Sequence, residues 1–140
     1  MQGTYAERTT ALLRKINGLI GTSALFSEEK KILGDIEADI KMGTVGMRLV
    51  EFEQSVKRIG TAVSGRKGHE KVFADFVAIT SNLREYAVTG GEMSVYKQYA
   101  KKISDGTMDS MDWDSLNHFM DSNRRKKGDL HGLRWRKLPA

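Results

Sequence analysis

Nothing in residues 1–138 forbids a continuing helix, because the only proline is Pro139 and proline is the residue that breaks an α-helix outright. The breaks fall at glycines instead. Between them, apolar residues recur three and four positions apart, the spacing of one helical face. This pattern predicts an all-α chain, a single bundle of five or six helices over residues 1–123, followed by a basic C-terminal arm over residues 124–140.

The first segment opens on Thr4-Tyr5-Ala6-Glu7, where threonine and glutamate can satisfy each other's backbone donors as a capping box. Leu12, Leu13, Ile16, Leu19 and Ile20 then form a stripe that ends near Gly21. A second helix is predicted from Ser27, with Glu28 and Glu29 at the positive end of the macrodipole. Ile32, Leu33, Ile36 and Ile40 form its stripe, and Gly43 closes it. The third segment carries Val45, Leu49, Phe52, Val56, Ile59 and Val63, an uninterrupted heptad seam stopped at Gly65. A fourth helix is predicted from about Glu70 to Ala87, with Val72, Phe73, Phe76, Ile79, Leu83 and Tyr86 inward and a stop at Gly90-Gly91. A shorter fifth carries Tyr96, Tyr99, Ala100 and Ile103 before Gly106. The last starts near Asp109 or Asp112 and presents Trp113, Leu116, Phe119 and Met120. Phe52, Val56, Ile59, Phe73, Phe76 and Leu83 are the predicted core. In Leu133-Arg134-Trp135-Arg136-Lys137-Leu138, apolar and basic residues nearly alternate, which predicts an extended arm.

Charge is segregated along this chain. Arg124, Arg125, Lys126, Lys127, Arg134, Arg136 and Lys137 stand against one acid, Asp129, so residues 124–137 carry +6 of a chain total of +5. A near-neutral body with its positive charge in one terminal segment suits a polyanionic partner. Trp135 adds a flat ring that can stack on a base. Arg66, Lys67 and Lys71, between the third and fourth helices, are candidates for a second phosphate contact. The partner expected is nucleic acid, DNA or RNA, bound largely without sequence readout because no helix-turn-helix is evident. The alternative is a protein-interaction module (adaptor, inhibitor or assembling subunit), docking through the arm with either the helix-three seam or a Trp113/Phe119 face. The heptad seam also admits self-association, although bundle cores use the same spacing.

Sequence motifs for catalysis fail in detail. Gly60-Thr61-Ala62-Val63-Ser64-Gly65-Arg66-Lys67 resembles a phosphate-binding loop, but that loop needs lysine directly after its second glycine, then Ser or Thr, with a strand before it. Asp105, Asp109, Asp112 and Asp114 lack the alternate spacing and closing glutamate of a calcium loop, so helix capping explains them better. Asp35 and Asp39 lie one turn apart without the Glu-x-x-His of a di-metal centre. His69, His118 and His131 sit in three segments and never pair at ligand spacing. Neither a nucleophile elbow nor a cysteine is present. We therefore expect a non-enzymatic chain with no catalytic residues, no metal and no cofactor. The chain contains no run of about 18 apolar residues, so no membrane span is expected. With no cysteine and no leader pattern at Met1-Gln2-Gly3-Thr4, the expected compartment is the cytoplasm, or a virion interior for a viral subunit.

The helical periodicity has a direct check. Far-ultraviolet circular dichroism should give a helical content well above the average of about one-third, and a strand-dominated spectrum would contradict the assignment.

Overall fold

Six α-helices and one short 3-10 turn follow one another in a computed structural model that describes residues 3–22 and 24–137, with side chains up to Lys127. The helices are α1 (Tyr5–Ile20), α2 (Ser27–Met42), α3 (Leu49–Ser64), α4 (Glu70–Ser81), α5 (Gly90–Asp105) and α6 (Ser110–Lys137), with the 3-10 turn at Gly46–Arg48. No strand occurs among the described residues, and no described helix is long and apolar enough to cross a membrane. The helices divide into two compact units, residues 1–67 and residues 68–140, where the sequence pattern had suggested one bundle and an arm.

Unit one is built from α1, α2 and α3, packed pairwise. Thr4 caps α1 by accepting the Glu7 N–H at 3.2 Å. The α1 stripe buries Leu12 and Ile16, while Ile20, at its end, is left exposed. At the end of α2, Gly43 adopts φ +71°, a left-handed turn that glycine enters without steric cost. The Thr44 N–H then reaches back to the Asp39 carbonyl at 2.9 Å. Val45, Leu49, Val56 and Ile59 of the heptad seam are buried with Leu12, Ile16, Leu25, Leu33 and Ile36, and Phe52 and Val63 pack against them. The seam is thus the inner face of unit one rather than a surface for a second chain. Phe52 stays half-buried, with the Arg48 guanidinium 5.1 Å from its ring centroid.

The interior of unit one also holds a charge. Arg66 is fully buried just past the end of α3. Its Nη1 donates to the Ala24 carbonyl and to Glu29 Oε1, both at 2.7 Å, and its Nη2 donates to Glu29 Oε2 at 2.9 Å. The guanidinium also stands 5.0 Å from the Phe26 ring centroid. Glu29 meanwhile accepts the Phe26 N–H at 2.8 Å, capping α2. A bidentate Arg–carboxylate pair is the geometry that offsets the cost of desolvating both ions.

Unit two is built from α4, α5 and α6, with α4 packed on α6. Phe73, Phe76, Ile79, Tyr96, Ile103, Trp113, Leu116 and Met120 are its buried apolar side chains. Tyr96 sits between two other rings, tilted to Phe76 at 5.9 Å and edge-on to Phe119 at 4.9 Å. Trp113 is 2% exposed and stacks on His69 at 5.1 Å, so it belongs to the core and leaves no Trp113/Phe119 docking face.

Two boundaries differ from expectation. Helix α4 ends at Ser81, not Ala87: Asn82 leaves helical geometry, and its Nδ2 donates to the Ala78 carbonyl at 3.1 Å, the local competition that makes asparagine a helix ender. Leu83 consequently lies in a turn and is only half-buried. Gly90-Gly91 starts α5 rather than stopping α4, because Thr89 and Glu92 form a reciprocal capping box, with bonds of 3.1 and 2.9 Å. The start of α6 matches the expectation, with Asp109 and Asp112 capping each other at 2.7 and 3.1 Å.

The buried pair of unit one can be tested by removing one partner. Arg66→Met should lower unfolding stability by about 3–5 kcal/mol, because Glu29 would remain buried without its counter-charge. Urea unfolding measures this, and a loss under about 1 kcal/mol would mean that the pair does not hold unit one together.

Candidate nucleic-acid interface

Helix α6 carries the basic segment, and its first half is anchored in unit two. Trp113, Leu116, Met120 and Asn123 are buried at spacings of three, four and three. The backbone continues as helix to Lys137, where an extended arm was expected. The physical reason is that no proline precedes Pro139, and Gly128 and Gly132 each cost a helix only about 1 kcal/mol relative to alanine. The arm is a continuation of α6. The side chains of Arg134, Trp135, Arg136 and Lys137 lie outside the described residues, as does all of residues 138–140.

Four consecutive cations, Arg124 to Lys127, are described, and they differ in environment. Arg124 donates through Nη1 to Asp75 at 2.8 Å and through Nη2 to Asp121 at 2.7 Å, and also to Asn117. Lys126 lies 3.1 and 3.2 Å from the two Glu92 oxygens and 3.4 Å from the Ala87 carbonyl. Lys127 is 3.7 Å from Glu85 Oε2 and stands 4.7 Å from the Tyr86 ring centroid, with both ion-pair partners about half exposed. Arg125 is exposed and makes one long contact, to the Asp121 carbonyl at 3.5 Å, with no ion pair among the described residues.

A polar cluster beneath these residues fixes the helix. Asn123, fully buried, donates through Nδ2 to the Tyr86 carbonyl at 3.0 Å and to Glu92 at 3.2 Å, and its Oδ1 accepts the Tyr96 hydroxyl at 2.6 Å. The early end of α4 leaves the Tyr86 and Ala87 carbonyls to be met by α6 side chains. Burial pushes the Glu92 carboxyl up, but the Thr89 N–H, the Lys126 ammonium and the Asn123 amide outweigh it and bring its pKa down to about 2. Burial, reinforced by the Glu92 charge, pushes the Tyr96 hydroxyl up to about 12.

Of the other candidates, Arg66 is sealed inside unit one on Glu29 and presents no charge to a phosphate. Lys67 and Lys71 are exposed, one ending unit one and the other on the first turn of α4 in unit two. Unit one also contains a cleft of about 430 Å³ between α1 and α3 that the sequence did not signal. Its walls include Arg8, Lys15 and Lys57, but Arg8 is paired with Glu53 and Glu7 also lines it, so its net charge is small. Among the described residues, no group of three or more His, Asp or Glu could hold a metal ion.

No family model, curated protein or solved structure matches this chain.

The depressed Glu92 pKa yields a sign. A carboxylate with a folded pKa near 2 and an ordinary value of 4.5 stabilises the fold fully above pH 4.5 and loses that contribution as pH falls toward 2. Its worth is about 2–4 kcal/mol. In urea unfolding, the stability gap between the parent and Glu92→Gln should shrink across that window, and a gap independent of pH would contradict the assignment.

Proposed function

We propose that this chain is a small, non-catalytic nucleic-acid-binding accessory protein, and that its basic C-terminal segment contacts phosphates without reading sequence. The observation that carries this reading is the segregation of +6 into residues 124–137 of a chain whose total is +5. Uniformly mixed surface charge would give no such field. The exposed Arg125 and the loosely held Lys127 support it, because both present their charge to solvent on a helix anchored in unit two. In this reading Arg134, Arg136 and Lys137 extend the phosphate contact, Trp135 stacks on a base or wedges beside one, and Lys67 and Lys71 are secondary contacts. The polar clusters among the described residues serve capping and packing, which supports a binding role over a chemical one.

One observation favours the rival reading of a protein-interaction module. Met47 is 100% exposed, and Met42 and Val50 on either side of the 3-10 turn are exposed as well, a placement that adaptable methionine-rich contacts use.

The two readings separate on truncation. Deleting residues 128–140 keeps the Arg124 and Lys126 ties, so the body should stay helical while affinity for mixed-sequence DNA or RNA collapses. In the intact protein, log affinity should fall linearly with log salt at a slope of about −2 to −4, because Arg124 and Lys126 are occupied and about 0.9 is contributed per duplex phosphate neutralised. Equal affinity in truncated and intact protein would defeat the proposal. A protein complex disrupted by Met47→Glu, with no nucleic-acid binding at physiological salt, would establish the rival.

A further inference from the structure

The four described cations of the basic segment are not equivalent, and the acids that hold them belong to the same unit. Arg124 has two carboxylate partners at 2.7–2.8 Å, and Lys126 has both oxygens of one carboxylate at 3.1–3.2 Å plus a backbone carbonyl. The Lys126 partner, Glu92, is 19% exposed and is itself fixed by capping α5. Displacing either cation would leave a half-buried carboxylate without its partner. Lys127 faces a different situation: Glu85 is 63% exposed, the contact is 3.7 Å, and no second ion pair holds that carboxylate among the described residues. Pairs of that kind are worth well under the cost of a buried pair and are screened by salt.

We propose that the acids of unit two act as an internal competitor for the polyanion: Glu85 and Asp121 occupy the charge of the segment's first turn until a phosphate displaces them. This rests on the nucleic-acid reading above. Lys126 holds α6 in place through Glu92, and Arg124 does so through Nη1 on Asp75; Arg125 is open to ligand, and Lys127 and the Nη2 of Arg124 are open only after they leave Glu85 and Asp121. Asp121 contributes by drawing on Arg124 from an exposed position, 51% accessible, while the half-buried Asp75 retains the structural tie. Each exchange leaves one carboxylate to be hydrated by water, a small cost for an exposed group. The consequence is selectivity. A dense line of phosphates can outcompete Glu85 and Asp121, whereas an isolated acidic side chain on another protein offers no more than the carboxylates already there.

The experiment compares the full chain with Glu85→Gln, Asp121→Asn and, as a control of equal charge change, Asp105→Asn, an exposed acid at the end of α5. The probe is a short mixed-sequence DNA duplex at fixed low salt. Glu85→Gln and Asp121→Asn should each tighten binding by about two- to five-fold, and the control should change it by less than half as much. In spectra of the parent, the Glu85 carboxylate and Tyr86 ring signals should move on adding duplex, and those of Asp105 should not. Equal tightening by all three variants would overturn the proposal in favour of net charge alone, with the nucleic-acid reading intact. Absence of binding by the parent and every variant would overturn both.

Discussion

Each unit is held by one glutamate at the third position of a helix, doing two jobs with the same carboxylate. In unit one, Glu29 caps α2 through the Phe26 N–H and clamps the buried Arg66 that follows α3. In unit two, Glu92 caps α5 through the Thr89 N–H and holds Lys126 and Asn123 of α6. In both cases the helix start and the last helical element of the unit are tied to one point. A capping bond alone is worth about 1 kcal/mol, but loss of the acid also strands a cation and a backbone donor together. The two devices differ in exposure. The Arg66 side chain is 1% exposed and Lys126 is 37% exposed, so the first tie is closed to water, whereas the second is a partly solvated tie at the foot of the basic segment.

Helix α6 is both a core helix and the carrier of the basic segment. Its first four turns are specified by Trp113, Leu116, Met120 and Asn123, and its basic residues begin directly after Asn123, the last buried residue among those described. The sequence therefore changes from burying a face to presenting charge without interrupting the helix. For the proposed binding role, a helical continuation would cost less entropy than an unstructured tail, because its backbone is already ordered. It also places the cations beside the acids of the same unit, and from that proximity the division into tied and available charges follows.

Much of the fold was legible because helix caps and stripes are local. Thr4, Gly43, Gly65, Gly106 and Asp109 all mark ends where the structure has them. The box Thr89-x-x-Glu92 is equally local, but the glycine pair inside it also has the composition of a helix stop, which masks the cap. The end of α4 was harder, because the apolar spacing runs on to Leu83 and Tyr86 while the asparagine at 82 competes for the backbone. The candidate site was legible only as charge. Asp121, three residues before Arg124, was the one partner that spacing could suggest, whereas Asp75, Glu85 and Glu92 reach the segment from 49, 42 and 34 residues away. Arg66 showed the opposite failure: a basic residue beside a lysine reads as surface until the acid 37 positions earlier is seen to enclose it.

The most direct test of this account measures the salt dependence of nucleic-acid binding and the thermal midpoint together for Arg125→Gln and Lys126→Gln. Arg125, exposed and unpaired among the described residues, should lose about 0.9 from the slope with an unchanged midpoint. Lys126, tied to Glu92, should lower the midpoint and leave the slope as it is. If Lys126→Gln flattens the slope as much as Arg125→Gln and leaves stability untouched, the division of the basic segment into structural and ligand-facing cations is wrong.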